Sequence, residues 1–282
     1  MDKDVFKDNV VIITGASSGI GRQLAFHLAP QGARLVLAAR DAARLEATAE
    51  GCRQAGAQAL IVPIDVTSPK QCQELVQRTV QAYGRLDTLI NNAGTSLTAN
   101  FEDYNDPTDL EHLAQINYLG SAYITYFALP YLKQSRGRIA AVCSMAGLTG
   151  LPGLSGYAAS KFAMSGFFES IRIELKRHGI SVTIAYPASV ATHLENTPTE
   201  TADPAGEKTR QAPREKIPPG MMPVETCARL ILQAVAGRRR DLYMAPGGKA
   251  ILWIKLIAPA LLDRISLTAV EKDRAERKET PV

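Results

Sequence analysis

The sequence predicts an α/β fold: a doubly wound parallel sheet with helices on both faces, forming a single domain with a C-terminal extension. The main observation is that short apolar runs alternate with longer segments whose apolar residues recur at helical spacing, roughly 20–28, 42–55, 69–83 and 108–132. Such alternation produces parallel strands joined by right-handed crossover helices. The predicted strands, rich in β-branched residues, are NVVIITG, ARLVLAAR, ALIVPID, LDTLINNAG, RIAAVCS and SVTIAYP.

The same pattern divides the chain into parts. Residues 1–245 are predicted to form the α/β domain, which ends with a further helix and a strand at DLYMA. Within it, 193–220 is rich in Pro, Thr, Glu and Lys and is interpreted as a lid over the site or as a passive loop. Residues 246–282 hold an apolar segment and a polar tail. The apolar part, 246–262, is too short and broken to span a bilayer, so we expect an interfacial helix on a membrane or packing on the domain or a partner subunit.

The composition argues against several classes of protein. The 282 residues carry a formal net charge of +4, with basic residues scattered among acids, which argues against a nucleic-acid partner. The one dense basic cluster, 238–240, is interpreted as a solvated turn or as an anion or lipid-headgroup site. Without a signal peptide or N-terminal anchor, and with scattered cysteines that form no disulfide framework or metal site, the chain is expected in a reducing, cytoplasmic location. The cysteines are Cys52, Cys72, Cys143 and Cys227.

A glycine-rich turn, TGASSGIGRQLA, follows the first predicted strand and opens the first helix. Its glycines allow a tight turn and a close approach of the backbone to a pyrophosphate, which the free N–H groups of the helix N-terminus would bind. This strand-turn-helix context is what a dinucleotide-binding Rossmann fold requires. The candidate cofactor contacts in the turn are Gly15, Ser17, Ser18, Gly19, Ile20 and Gly21.

The end of the second strand indicates which nicotinamide cofactor binds. In such folds an acid at this point accepts hydrogen bonds from the ribose hydroxyls and would repel a 2′-phosphate. This chain instead has Arg40, whose guanidinium can pair with the phosphate of NADP(H). The alternative is a surface arginine that caps a loop, and the adjacent Asp41 would partly neutralise its charge.

Two further strand ends complete the nucleotide site. Asp65 would accept a hydrogen bond from the adenine amino group while Val66 packs on the ring. Asn92, Ala93 and Gly94 are small or polar residues where the ribose must approach the backbone. Each set alone could be a strand-end turn, but together with the glycine-rich turn they fall on one edge of the sheet, where ligands bind in this architecture.

Tyr157 and Lys161 are the candidate residues for proton transfer. Four residues apart on a predicted helix, they share a face, and an ammonium beside the phenol stabilises the phenolate and so eases proton exchange near neutral pH. Ser144, at the end of the fifth strand, could bond a substrate carbonyl. Asn117 lies in the middle of a predicted helix, where an amide taken alone would face solvent or kink the helix.

In order along the chain, these motifs resemble those of the short-chain dehydrogenase/reductase family. The TGxxxGxG, NNAG, Asn, Ser and YxxxK motifs fall within about 10–192. The resemblance implies that Tyr157 is the general acid/base and that Ser144 positions the carbonyl. It also implies that Lys161 assists Tyr157 and holds the nicotinamide ribose, and that Asn117 supports a proton-relay water.

Within that family the chain resembles the 11β-hydroxysteroid dehydrogenase-like branch and related microsomal reductases, on the stretch ALPYLKQSRGRIAAVCSMAGLTGLPGLSGYAASKFAMSGFFESIRIEL. That branch also has an arginine at the Arg40 position and an apolar C-terminal segment, but its usual N-terminal anchor is missing. Ala188 stands where the family commonly has glycine, and Val190 and Thr192 are the candidate contacts of the nicotinamide carboxamide. Cys143 is expected to be a small buried hydrophobic residue.

Together these features predict an NADP(H)-dependent oxidoreductase that transfers hydride between the nicotinamide and a hydrophobic ketone or secondary alcohol. A steroid, a sphingoid precursor, a 3-oxoacyl lipid or a xenobiotic would suit a pocket lined by Leu148, Leu151 and Leu154. The alternative is a non-catalytic NADP-binding scaffold or redox sensor. The resemblance further implies a homodimer or homotetramer in which helices 108–132 and 157–177 pair across a two-fold axis.

Overall fold

Strands and helices alternate along the chain in this computed structural model, which describes residues 5–192, 201–202, 208–209, 220–245 and 247–268. The strands are β1 (Val10–Thr14), β2 (Arg34–Ala39), β3 (Gln58–Pro63), β4 (Thr88–Asn91), β5 (Arg138–Val142), β6 (Ser181–Tyr186), β7 (Val190–Ala191), β8 (Thr201–Ala202), β9 (Lys208–Thr209), β10 (Met222–Pro223) and β11 (Asp241–Tyr243). The helices are α1 (Gly19–Leu28), α2 (Ala42–Gln54), α3 (Pro69–Tyr83), α4 (Thr108–Ala114), α5 (Gly120–Ser135), α6 (Ser155–Leu175), α7 (Val224–Ala236) and α8 (Gly248–Ile257), and 259–268 is also helical.

Seven strands form one sheet in the order β11-β6-β5-β4-β1-β2-β3, with every neighbouring pair parallel. The chain runs outward from β1 to β3 and then crosses to β4 on the other side of β1. The carboxyl ends of β1 and β4 therefore flank the switch point at which ligands bind in doubly wound sheets. This topology confirms the predicted Rossmann fold, and the DLYMA strand extends it as β11 at the sheet edge.

The sheet is buried on both faces, because successive residues of each strand point to opposite sides. In β1, Val10 and Ile12 belong to the core beneath α3, α5 and α6. Val11 and Ile13 belong to the core beneath α1, α2 and α7. All four side chains are completely buried, which explains why the strands read as continuous apolar runs.

Side-chain caps set the starts of the helices that frame the ligand edge. Asp41 caps α2 by accepting a hydrogen bond from Arg44 N, and the Ser68 hydroxyl caps α3 by accepting one from Gln71 N. Helix α3 ends at Gly84, whose φ of +73° lies in the left-handed region that favours glycine. These caps define where α2 begins and where α3 begins and ends.

The arginine cluster 238–240 has a role that neither interpretation of the sequence included. Arg238 has a φ of +49° and donates hydrogen bonds to Gly179 O at 2.9 Å and Arg136 O at 2.8 Å. Those carbonyls belong to residues just beyond the ends of α6 and α5. Arg238 thus joins two helix ends to the chain that leads into β11. The sequence gives no sign of this contact, because the residues meet only in the folded domain.

The C-terminal apolar segment packs on the domain with part of its surface. Ile251 and Leu252 are partly buried against the core, and Leu262 is buried. Large apolar side chains nevertheless remain exposed, namely Trp253, Leu256, Ile257, Leu261, Ile265 and Leu267. Within the described residues, no helix combines the length and apolar character needed to cross a bilayer.

Two predicted segments lie largely or wholly outside the described residues. Of the proposed lid at 193–220, the structure describes the antiparallel pair β8 and β9 and Gly220. The polar tail at 271–282 is not described. The lid therefore stays a prediction.

Candidate active site

A cleft of about 480 Å³ opens at the carboxyl ends of β1 to β5. It gathers residues that are far apart in sequence along the ligand edge of the sheet, as the sequence analysis expected. Some predicted residues, Gly21, Asn117, Ser144, Val190 and Thr192, do not line this cleft. The predicted residues that do line it are Gly15, Ser17, Ser18, Gly19, Ile20, Arg40, Asp65, Val66, Asn92, Ala93, Gly94, Tyr157 and Lys161.

The glycine-rich turn packs so closely that it leaves no room for side chains. Gly15 has a φ of +64°, and a Cβ atom on Gly21 would lie 2.2 Å from Gly15 O, far inside any allowed contact. Gly21 therefore lets α1 pack against the turn. Ser18, the N-cap of α1, makes no side-chain cap hydrogen bond, so the first N–H groups of the helix remain available to an anion. The binding of a pyrophosphate at this turn stays a prediction.

Thr14, which the sequence analysis did not single out, bonds to two residues that line the cleft. Its buried hydroxyl accepts hydrogen bonds from Asn92 N and Ala93 N, both at 2.9 Å. In return, Asn92 Nδ2 donates to Thr14 O at 2.9 Å. These bonds join the ends of β1 and β4. The position of Thr14 as the first residue of the glycine motif is the signal that could have identified it.

The corner after β2 carries Arg40 with an exposed side chain that forms no ion pair with the described residues. Asp41 does not neutralise it in the way expected from the sequence. Asp41 Oδ1 accepts a hydrogen bond from Arg44 N at 3.0 Å, and Asp41 Oδ2 lies 3.4 Å from Arg44 Nε. Arg44 also lines the cleft. The sequence analysis missed Arg44 because only the fold of α2 brings its side chain back to this corner.

Asp65 lines the cleft at the end of β3, and hydrogen bonds hold its carboxylate in place. Its Oδ1 accepts hydrogen bonds from Thr67 N and Thr67 Oγ1, both at 2.9 Å, and the contact of Asp65 with an adenine amino group stays a prediction. Burial raises the pKa of Asp65, but the two hydrogen bonds and the positive charges of Arg40 and His112 outweigh it, so the pKa lies below its usual value. The carboxylate therefore stays an acceptor. Val66, which is buried, packs against Gly120 at the start of α5.

Tyr157 and Lys161 lie together at the opposite end of the cleft, on α6. The Lys161 ammonium is buried, 5.8 Å from the centre of the Tyr157 ring, and donates a hydrogen bond to Val142 O at 3.1 Å. A Cβ atom on Gly94 would lie 3.4 Å from Lys161 Nζ and 3.0 Å from Asn117 Oδ1. The amine and the Asn117 amide therefore converge on the glycine that ends the NNAG motif.

Asn117 lies in a π-helical turn, Gln115–Leu119, that separates α4 from α5 within the helix predicted over 108–132. Its fully buried amide accepts from Thr95 N and donates to Thr95 O and Ser160 Oγ, each at 2.9 Å. Ser160 Oγ in turn donates to Tyr157 O at 2.7 Å. Thus Asn117 neither faces solvent nor only kinks the helix. Wide turns of this kind are frequent at functional sites.

Ser144 lies two residues beyond the end of β5 and caps a short helical turn. Its hydroxyl oxygen accepts a hydrogen bond from Ala146 N at 3.1 Å, which leaves the hydroxyl proton for a carbonyl oxygen. The neighbouring Cys143 is buried, and its thiol donates to Lys161 O at 3.3 Å. Burial raises the pKa of the Cys143 thiol, which therefore stays protonated, as expected for a small hydrophobic residue.

Val190 and Thr192 lie beyond the cleft lining. Val190 belongs to β7, which pairs with β10, and Thr192 N donates to Val190 O at 2.8 Å. Both residues are half-buried. Ala188, just before them, packs against the core beneath α6. Their contact with a carboxamide stays a prediction.

Helix α8 contacts the segment that follows Ser144. Lys255 Nζ donates a hydrogen bond to Leu148 O at 2.9 Å and lies 4.6 Å from the centre of the Phe162 ring on α6. Leu148 is buried, and Leu151 and Leu154 are half-buried in the same segment. The C-terminal segment therefore contacts both the proposed substrate segment and the helix that carries Tyr157.

Comparison with known proteins agrees with this geometry. The sequence profile of the family described as short chain dehydrogenase matches residues 9–203. The protein named 11-beta-hydroxysteroid dehydrogenase-like 4A of Arabidopsis thaliana is 38% identical over 254 residues, which cover 90% of this chain and 82% of that protein. The chain belongs to the short-chain dehydrogenase/reductase family. Its relatives place it in the 11β-hydroxysteroid dehydrogenase-like branch, so it is an oxidoreductase of that family.

Further similarities support the family assignment. This short-chain dehydrogenase/reductase is 46% identical to 11-beta-hydroxysteroid dehydrogenase-like 3 of Arabidopsis thaliana over 186 residues, 66% of this chain and 60% of that protein. A short-chain dehydrogenase/reductase from Burkholderia phymatum, solved in complex with NAD, superposes with a TM-score of 0.78 at 26% identity, covering 91% of this chain and 95% of that one. A nicotinamide cofactor therefore belongs to the site. The described residues contain no cluster of three or more potential metal ligands of the His, Cys, Asp or Glu type.

Proposed function

We propose that this protein is an NADP(H)-dependent oxidoreductase that interconverts a hydrophobic ketone and its secondary alcohol. The observation that carries the proposal is that one cleft joins the Tyr157 and Lys161 pair to Arg40, with no acid at the Arg40 position. A guanidinium at this corner can pair with a 2′-phosphate.

The proton chemistry belongs to Tyr157. Its phenol would donate a proton to the carbonyl oxygen in reduction and accept it in oxidation, while the Ser144 hydroxyl holds that oxygen in place. The buried Lys161 ammonium stabilises the phenolate left behind. When bound, the nicotinamide supplies or accepts the hydride at the carbonyl carbon.

The proposed substrates are hydrophobic carbonyl compounds such as a steroid, a sphingoid precursor, a 3-oxoacyl lipid or a xenobiotic. The apolar side chains of Leu148, Leu151 and Leu154 in the segment after Ser144 support this class. So do the names of the relatives, several of which are 11-beta-hydroxysteroid dehydrogenases or like them.

Oxidation of NADPH and of NADH by the purified protein, over a panel of hydrophobic ketones, tests the proposal. We expect turnover with NADPH that is lost in Tyr157→Phe, with the NADPH Kd changed by less than about twofold. Tyr83→Phe, at the end of α3 and outside the cleft lining, is the matched control and should keep full activity. A preference for NADH would overturn the cofactor assignment. NADPH binding without turnover on any ketone would favour a scaffold or redox sensor instead.

We also propose that the protein forms a homodimer or homotetramer through α5 and α6. Tyr126 is 71% exposed and Ile173 is 73% exposed on these two helices, an unusual exposure for large apolar side chains that a second copy would cover. Light scattering after gel filtration measures the mass of the particle. A monomer for the wild type would contradict this proposal, and Ile173→Glu should weaken the assembly.

Contact of 246–262 with a membrane surface is a separate proposal. It is supported by the exposed side chains of Trp253, Leu256 and Ile257 near the cation Lys249. Sedimentation with anionic and with neutral lipid vesicles tests it, with Leu256→Ser and Ile257→Ser combined as the variant. Equal sedimentation of wild type and variant would contradict the contact.

A further inference from the structure

The corner after β2 carries two opposing charges next to each other. Arg40 and Asp41 both line the cleft. An acid at this corner favours the ribose hydroxyls of NAD(H) and repels a 2′-phosphate, whereas a guanidinium favours the phosphate. If both side chains were unpaired, their effects on a phosphate would largely cancel.

In the structure, Asp41 pairs with Arg44 and not with Arg40. The Asp41 carboxylate is turned towards the first turn of α2, where Oδ1 accepts from Arg44 N at 3.0 Å and Oδ2 lies 3.4 Å from Arg44 Nε. Arg40 forms no ion pair with the described residues, so its guanidinium remains available. Arg40, Asp41 and Arg44 together therefore keep one net positive charge at this corner, beside the Asp65 carboxylate at the end of the next strand.

We propose that Arg44 determines the preference for NADP(H) over NAD(H) by neutralising Asp41. This inference rests on the proposed NADP(H) function and adds a positioning residue to it, since Arg44 acts on the phosphate through Asp41. The capping hydrogen bond fixes the Asp41 carboxylate at the start of α2. The Arg44 side chain, three residues further along the helix, therefore pairs with Asp41 in the absence of any ligand.

A double-mutant cycle on the 282-residue protein tests the proposal. The four proteins are wild type, Arg44→Gln, Asp41→Asn and the double variant. The probes are 2′,5′-ADP and 5′-AMP, which differ at the phosphate that the corner would bind, and calorimetry gives the Kd of each. Asn is as good a helix cap as Asp, and Arg44→Gln keeps the Arg44 backbone N–H, so α2 should stay folded in all four proteins, as thermal unfolding would verify.

We expect Arg44→Gln to weaken 2′,5′-ADP binding by about tenfold and 5′-AMP binding by less than about twofold. The Asp41 carboxylate would then be unpaired and would repel the 2′-phosphate. In the Asp41→Asn background, the same Arg44→Gln change should weaken 2′,5′-ADP binding by less than about threefold. Such coupling is the signature of a residue that acts through Asp41.

Other outcomes separate the inference from the proposed function. An equal loss of 2′,5′-ADP affinity in both backgrounds would overturn the inference and make Arg44 a direct phosphate ligand. No loss of 2′,5′-ADP affinity in either background would also overturn the inference. The NADP(H) proposal would still stand if the wild type bound 2′,5′-ADP much more tightly than 5′-AMP. Equal affinity of the wild type for 2′,5′-ADP and 5′-AMP would overturn both.

Discussion

Lys161 Nζ donates a hydrogen bond to Val142 O at 3.1 Å, which joins the middle of α6 to the end of β5. Lys161 is only 3% exposed, and its ammonium also lies 5.8 Å from the centre of the Tyr157 ring and 3.8 Å from the Met164 sulfur. A charge taken out of water must be held by such partners. The amine is therefore positioned beside Tyr157 before any substrate or cofactor binds, which reduces the reorganisation that the reaction requires.

Lys161→Met should lower kcat by roughly 10²–10⁴, because the phenolate of Tyr157 loses the neighbouring positive charge. Methionine fills a similar volume, so the fold should be retained, as circular dichroism would verify. Single-turnover NADPH oxidation measures the effect. Lys176→Met, just past the end of α6, is the matched control, and equal rates in the two variants would refute the role of Lys161.

Gly21→Ala should weaken NADPH binding by about tenfold or more, because its Cβ would lie 2.2 Å from Gly15 O and the phosphate-binding turn would have to move. NADPH fluorescence titration gives the Kd. Gly166→Ala is the matched control, since a Cβ at this exposed helix position meets nothing within 4 Å. That change should raise the free energy of unfolding by about 0.5–1 kcal/mol. Unchanged NADPH affinity in Gly21→Ala would contradict the close packing.

The buried cysteines should make the protein sensitive to alkali. Burial raises the thiol pKa of Cys52 to about 11 and those of Cys72 and Cys227 to about 12. In the unfolded chain these thiols ionise from about pH 8.5. Their protonated form favours the folded state, so this stability is complete below that pH and is lost as pH rises towards the folded pKa values.

Scanning calorimetry should therefore show a Tm that falls between about pH 9 and 11, and less steeply in Cys72→Ala than in wild type. A thiol reagent at pH 8 should leave the folded protein largely unmodified and react with all four cysteines in denaturant. Rapid labelling of the folded protein would disagree with their burial.

Lys255→Met should raise the KM for a hydrophobic ketone by about threefold or more while leaving the NADPH Kd unchanged. The change removes the hydrogen bond to Leu148 O and the contact with Phe162, so α8 no longer fixes the segment after Ser144. Lys249→Met, on the same helix and exposed, is the control. Identical KM values for the two variants would show that the Lys255 contacts do not shape the substrate site.

The sequence identified the parts of the site that depend on local pattern. The glycine-rich turn is a contiguous motif, and the pairing of Tyr157 with Lys161 follows from helical periodicity alone. The doubly wound parallel sheet could be predicted because alternating buried strands and helices allow few connections. Arg40 could be found because strand length fixes where β2 ends.

What the sequence could not provide are contacts that span the fold. Thr14 meets Asn92 across 78 positions, and Asn117 meets Ser160 across 43 positions. The partner of Asp41 is only three residues away, yet several rotamers of Arg44 are compatible with the same helix. The π-helical turn at Asn117 is also not predicted, since the sequence pattern indicates one continuous helix over 108–132.

The hydrogen bonds of Arg238 reach back 59 residues to Gly179 and 102 residues to Arg136. A ribosome releases the chain from its N-terminus, so this contact and the pairing of β11 with β6 can form only after most of the domain has emerged. Until then β6 is an unpaired, apolar sheet edge. The pairing of β11 is therefore a late step of folding, followed by the packing of the C-terminal segment, and a nascent chain stalled before residue 238 would be a substrate for chaperones.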